Sequence, residues 1–274
     1  MEKVICPTDF STAANNAIEY AAKFAQHHRA SLEIMHLQQV SALEPVLSGR
    51  EVIRQFEDAS ALMEKMSRKI SSTFDISCSY SVEVSSRDLE KVMRGKSAEK
   101  NILIIGTNGT DELYQYFFGT NSYHVARKSK CPVLIVPEGA AFAIPRKIIF
   151  AWDYDQSCKD AFLQLKDFSG SDATEITFLH VSRKKTPVSD EVFRALKNEV
   201  LSCTGESKEI KFKRIYSAHA DNFAMGIDEY FKDSKADLLS ITHYKRRFPA
   251  AAFHGTILKA LSETATYPLL ILHS

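Results

Sequence analysis

The sequence predicts two α/β domains in tandem, each built on a parallel sheet with helices on both faces. Three observations lead there. Apolar strand-like runs alternate with stretches of helical period, the whole pattern restarts after about 140 residues, and a glycine-rich loop follows a strand directly.

The first-half runs are Val4–Cys6, Leu32–Leu37, Ile76–Val84, Ile102–Ile105 and Val133–Val136. Ser11 is placed to cap a helix in which Ala14, Ile18, Ala21, Ala22 and Ala25 share one face. Val52, Phe56, Ala59, Met63, Met66 and Ile70 mark the inner stripe of a longer helix. Strands separated by helices imply parallel pairing, because each crossover must return the chain to the same sheet end.

The repeat is visible by eye. Lys3–Asp9 (KVICPTD) resembles Lys147–Asp153 (KIIFAWD), and Leu32–Gln38 (LEIMHLQ) resembles Ile176–Ser182 (ITFLHVS). Gly119–Val136 resembles Gly255–Leu272, with Gly-Thr and Pro at matching intervals. The period is too long for a solenoid and indicates a duplicated domain. Pro137–Pro145, rich in Ala and Pro, is the junction, which places domains at 1–138 and 145–274. The terminal apolar strands Val133–Val136 and Leu269–Leu272 are expected to meet edge to edge as an intramolecular pseudo-dimer. That pairing would cover two otherwise open edges, and further homodimerisation is left open.

The chain of 274 residues is 45% hydrophobic and 25% charged, with a net charge of +1. So balanced a charge disfavours nucleic acid as a partner. No apolar run is long enough to cross a bilayer, and the N-terminus reads as a strand rather than a secretion signal. Five cysteines without a CxxC pair argue against a disulfide framework or zinc site and for a reducing cytoplasm. Cys6 and Cys131, in apolar strand contexts, are expected simply to pack.

The sharpest signal is Gly106-Thr-Asn-Gly109, then nine residues, then Gly119-Thr120. A loop leaving the carboxyl end of a parallel strand lies where ligands bind. Glycines admit an anion close to the backbone, and the first amides of the next helix are free to hold it. Asp9, just past the first strand, can accept from an exocyclic amine or serve simply as a helix-start carboxylate.

Together these pieces resemble the universal stress protein family, once per half. The resemblance implies a five-stranded sheet of order 3-2-1-4-5 in each domain, an adenine nucleotide α-hydrolase-like fold, with ATP over the carboxyl ends of the strands. By position, Asp9 would face the adenine while Pro7 and Thr8 shape that end of the pocket. Leu37 would offer backbone to the base. Ile105 and Gly106 would flank the nucleoside, and Asn108, Gly109, Gly119, Thr120 and Asn121 would line the phosphates. The family's glycine before the third helix is replaced here by Ser85-Ser86-Arg87-Asp88. In the second half Gly106 becomes Thr242 and Gly109 becomes Lys245, so that motif is degenerate. The basic loop His243–Arg247 reads as solvated or as a residual anion site.

No Walker loop or kinase motif is present. Asp111 and Glu112 could help hold Mg2+ or be solvated acids. His36 and His180 occupy equivalent repeat positions, which suggests packing, and Trp152 reads as a packing residue. The expected function is that of a cytoplasmic, ATP-binding stress or regulatory protein with an unidentified protein partner. The competing readings are a scaffold that binds no nucleotide and a slow Mg-dependent ATPase.

Overall fold

The computed structural model describes residues 1–39, 49–86, 88–107, 119–152, 158–169, 174–182, 189–204, 210–216, 222–243 and 251–273. The chain divides into two compact units, Met1–Phe142 and Ala143–Ser274.

In the first unit the order is β1 (Lys3–Thr8), α1 (Thr12–His28), β2 (Ser31–Gln39), α2 (Gly49–Phe74), β3 (Cys78–Ser85), α3 (Leu89–Lys96), β4 (Asn101–Thr107), α4 (Gly119–Lys128) and β5 (Val133–Pro137). All described pairings are parallel, in spatial order β3-β2-β1-β4-β5. The second unit repeats this with β6 (Lys147–Ala151), α5 (Cys158–Ser169), β7 (Glu175–Ser182), α6 (Asp190–Thr204), β8 (Ile210–Tyr216), α7 (Phe223–Ser234), β9 (Leu238–His243), α8 (Ala251–Thr264) and β10 (Leu269–His273). Its order is β8-β7-β6-β9-β10, again parallel and again 3-2-1-4-5. No described helix is long and apolar enough to cross a membrane.

Central strands are apolar on both faces, as a sheet covered by helices requires. Ile102, Leu103, Ile104 and Ile105 are all fully buried. Helix α1 begins where Ser11 Oγ accepts from the Ala14 amide, and its small face Ala14, Ile18, Ala21, Ala22 and Ala25 is buried. It ends at Arg29 in the left-handed region. Cys6 and Cys131 are buried free thiols. Burial raises the Cys6 pKa above the ordinary thiol range and pushes Cys131 up to about 12.

Two sequence expectations need adjustment. The third strand begins at Cys78 rather than Ile76, because Asp75 takes a positive φ of 52° and turns the chain first. The stripe on α2 is buried only toward its end: Met63 and Ile70 are inside, but Phe56 is 39% exposed. The helix has 26 residues and so runs about 39 Å. The 9-residue strand beside it spans only about 30 Å, so the first turns of α2 find no sheet to cover.

The segment after β5 is tied to α1. Asn16 Nδ2 donates to the carbonyls of Pro137 and Ala140, and the Phe142 ring meets Tyr20 edge-on at 5.2 Å. Beside it, burial and the neighbouring His27 push the His28 pKa down to about 4. The unfolded chain therefore takes up a proton on His28 at higher pH than the folded one. His28 should cost stability as pH falls from about 6.5 to about 4. Urea titrations of a His28→Phe variant should show a shallower stability loss across that window.

An ionic cluster crosses β1, β2, β3 and α3. Glu33 Oε1 accepts from Lys96 Nζ at 2.7 Å and Ser81 Oγ at 3.0 Å, and Glu33 Oε2 accepts from Lys3 Nζ at 3.2 Å. Burial opposes ionisation of Glu33. Hydrogen bonds from Lys96 and Ser81, with the Lys96 charge, outweigh it and hold the pKa below the usual range. Glu33→Gln should cost about 1–3 kcal/mol at neutral pH in urea unfolding. Because the folded pKa is the lower one, this gap should persist above the unfolded value and close as pH falls through the folded one.

Candidate functional site

The carboxyl ends of β1, β2 and β4 form the edge where the sequence places its candidate residues. Pro7 and Thr8 end β1, Leu37 lies near the end of β2, and Ile105 and Gly106 near the end of β4. Since β1 pairs with both neighbours, these five residues share one side of the sheet edge. Gly119, Thr120 and Asn121 are the first described residues of α4. Asn108 and Gly109 lie outside the described residues, as do Asp111 and Glu112.

The turn from β1 into α1 is held by its own side chains. Thr8 Oγ1 accepts from the Phe10 amide at 3.0 Å, and Asp9 Oδ1 accepts from the Ser11 amide at 3.0 Å. Phe10 sits at φ 67°, a costly conformation for a bulky residue. Asn15 Nδ2 donates to the Phe10 carbonyl at 3.3 Å, and the Phe10 ring lies 4.5 Å from that of His36. Asp9 remains exposed. Among the described residues its second oxygen has no partner, so the carboxylate can serve the turn and still accept from a ligand.

His36 and His180 prove to be structural twins. His36 Nδ1 lies 2.9 Å from the Thr8 carbonyl, and His180 Nδ1 lies 2.8 Å from the Trp152 carbonyl. A carbonyl only accepts, so Nδ1 donates in both cases. Each ring thus clasps the end of the first strand of its unit from the end of the second. This agrees with the packing role expected from the repeat. The Trp152 indole also packs, at 5.5 Å from Phe178 and 5.9 Å from Phe212.

Gly106 has a second reason to be glycine. A Cβ there would lie 2.6 Å from the Ala13 carbonyl oxygen and 2.9 Å from its carbon. Sequence spacing pointed to an approaching anion, but the backbone of α1 already occupies that side. Sequence reasoning also passed over Thr107. It is 2% exposed, and its Oγ1 has no hydrogen-bond partner among the described residues. Its place inside Gly106–Gly109 was the available signal, hidden because the glycines drew the spacing argument.

In the second unit a small open cleft of about 70 Å³ lies at the corresponding edge. The ends of β6, β7 and β9 and the helices α7 and α8 line it. Among the described residues, no group of three or more His, Cys, Asp or Glu side chains is placed to hold a metal ion.

Two parallel sheets of order 3-2-1-4-5, with polar and glycine residues gathered at the carboxyl edge of the first, define a tandem doubly wound α/β protein. The sequence profile of the universal stress protein family matches residues 1–137, half of the chain, and the chain belongs to that family. No curated protein sequence matches it. Among solved structures, a universal stress protein from Archaeoglobus fulgidus superposes with a TM-score of 0.76 at 14% identity, covering 99% of this chain and 98% of its own. Two Pseudomonas aeruginosa proteins give TM-scores of 0.64 and 0.58 at 12% and 13% identity, covering all of this chain and 93% and 92% of theirs. At such identities the likeness speaks for the fold. It extends over both halves, whereas the family profile stops at Pro137, before the half with the degenerate motif.

Gly106→Ala should destabilise the protein by about 1–3 kcal/mol through the Ala13 contact. Thermal unfolding without added ligand reads this directly. An unchanged midpoint would mean that α1 yields freely there.

Proposed function

We propose that this chain is a nucleotide-binding regulatory protein of the stress-response type, with ATP bound at the carboxyl edge of the first unit. What carries the reading is the gathering of three features toward one edge: the exposed Asp9 carboxylate, the end of β4 at Gly106, and Gly119-Thr120, the first described residues of α4. A base can be read by Asp9 and the backbone near Leu37. Phosphates can be held by free amides at the α4 N-terminus, which carries a partial positive charge. The buried Thr107 hydroxyl, without a partner among the described residues, fits an added polar group nearby. Pro7, Thr8 and Ile105 shape the walls, while Asn108, Gly109 and Asn121 take the phosphate end. Mg2+ would accompany the phosphates. Free thiols at Cys6, Cys78 and Cys131 suit a reducing, cytoplasmic setting.

Binding, rather than turnover, is the functional event in this reading, since hydrolysis needs a positioned water and metal that no recognised motif supplies. Ligand presence would be reported to a protein partner through a shift between conformations of different nucleotide affinity.

Thermal unfolding with and without Mg-ATP tests this. At about 100 times its dissociation constant, a ligand adds about 2.7 kcal/mol of stability. Asp9→Ala and Gly109→Arg should stay folded and lose the shift. Absence of any shift at millimolar Mg-ATP would favour the scaffold reading. Steady phosphate release abolished by Gly109→Arg would favour the ATPase.

A further inference from the structure

Strand β3 is the outer strand of the first unit, and its pairing shows which backbone groups look outward. The Leu32 amide donates to the Ser77 carbonyl at 2.9 Å, and Leu32 pairs with Cys78. In a parallel pair this register turns the amides and carbonyls of Ser79, Ser81, Glu83 and Ser85 toward β2. Those of Cys78, Tyr80, Val82 and Val84 point away from it. Cys78 is already satisfied: its amide donates to Ser71 Oγ at 3.2 Å, and its carbonyl accepts from Ser67 Oγ at 2.8 Å. The outward groups of Tyr80, Val82 and Val84 have no hydrogen-bond partner among the described residues. The open stretch therefore runs from Tyr80 to Val84 and is centred on Val82.

The same register sorts the side chains. Gln38 pairs with Val84 and its Nε2 donates to Gln55 of α2, so Val84, Val82 and Tyr80 lie on the α2 face. Tyr80 is 39% exposed and Val84 42%. Ser81 and Glu83 take the opposite face, where Ser81 donates to Glu33 and Glu83 meets Lys96 Nζ at 3.1 Å. Glu83 is the only charged residue on β3, whereas β8, the outer strand of the second unit, carries Lys211, Lys213 and Arg214. Cationic side chains commonly guard an edge strand against pairing, and β3 has none.

We infer that β3 pairs antiparallel with β3 of a second copy of this chain, about a two-fold axis at Val82. Symmetry then sets the contacts. Val82 lies opposite its own copy, and Tyr80 opposite the second copy's Val84. These are the outward-facing residues of both strands, so each pair exchanges hydrogen bonds and every open group from Tyr80 to Val84 is satisfied. The two exposed apolar side chains meet as an aromatic and β-branched cross-strand pair on the α2 face. Glu83 falls opposite Ser81, so no like charges oppose. A slip by one pair sets Val84 against Cys78, whose groups are committed, or Tyr80 against Ser86, past the strand end. The edge is thus complementary to itself, which singles out a second copy as its partner. A strand pair alone buries less than the ~800 Å² per partner of a standard interface, so the dimer is weak and reversible.

Sedimentation velocity on the full chain, without nucleotide and up to hundreds of micromolar, should show a monomer–dimer equilibrium. Val82→Pro removes only a donor that β2 does not use, so it should stay folded and be monomeric throughout. If circular dichroism shows that it is unfolded, Tyr80→Lys with Val84→Lys takes its place. That double variant sets lysine against lysine across the axis, at positions exposed in the monomer. Register is read by cross-linking in a Cys78→Ser parent treated with diamide. Two copies of Val82→Cys would stand about 5.5 Å apart at Cα, within disulfide range, and should cross-link above the parent. Ser79→Cys, facing Ser85 of the second copy, should not. The inference is overturned by a monomer at every concentration, by a dimer that survives in the folded variant, or by cross-linking of Val82→Cys no greater than that of Ser79→Cys. It does not rest on the nucleotide reading, which is judged on the Asp9 and Gly109 variants.

Discussion

A missing side chain at Gly106 lets the first unit close. Helix α1 crosses β4 so near that its Ala13 carbonyl would stand 2.6 Å from any Cβ at that position. The alanine face of α1 serves the same approach, since Ala13, Ala14 and Ala17 are all essentially buried. Close contact of α1 and β4 sets where the β1–α1 turn lies relative to the end of β4. The position of Asp9 against the glycine strand follows from it. The glycine that a binding argument claims for the ligand is thus also demanded by packing, and one residue answers to both.

The second constraint is the histidine clasp, present in both units. A parallel strand end leaves carbonyls without a ladder partner, and at the end of the first strand of each unit an imidazole supplies one. In the first unit the clasp sits under the strained Phe10 and beside the Asp9 turn. In the second it holds Trp152, which then joins an aromatic group with Phe178 and Phe212. The same scaffold interaction therefore supports two differently surfaced edges. Duplication preserved the frame and let the residues at its carboxyl edge diverge, in keeping with function residing in sites grafted onto folds.

Within the first unit, polar groups at the edge divide their duties. Asp9 caps its own turn through one oxygen and faces solvent. Thr8 spends its hydroxyl on Phe10 and its carbonyl on His36. Thr107 keeps a buried hydroxyl uncommitted among the described residues. Pre-organisation by local hydrogen bonds suits a binding site, because less ordering remains to be done when a ligand arrives.

Strand and helix order and the duplication were legible along the chain, because periodicity and repeated residue patterns can be read from the sequence itself. Ser11 as a cap and the alanine face of α1 were readable for the same reason. Other features depended on distances between segments far apart in sequence. That α2 outruns its sheet follows from comparing the rise of a helix with that of a strand. That Gly106 is required by α1, and that His36 reaches the carbonyl of Thr8, became visible only once the strands lay side by side. The Gly-Thr pair of the second half matches that of the first letter for letter. Strand register confirms the wider correspondence, pairing Gly106 with Val136 as Thr242 pairs with Leu272, because it compares segments that only the folded sheet brings side by side.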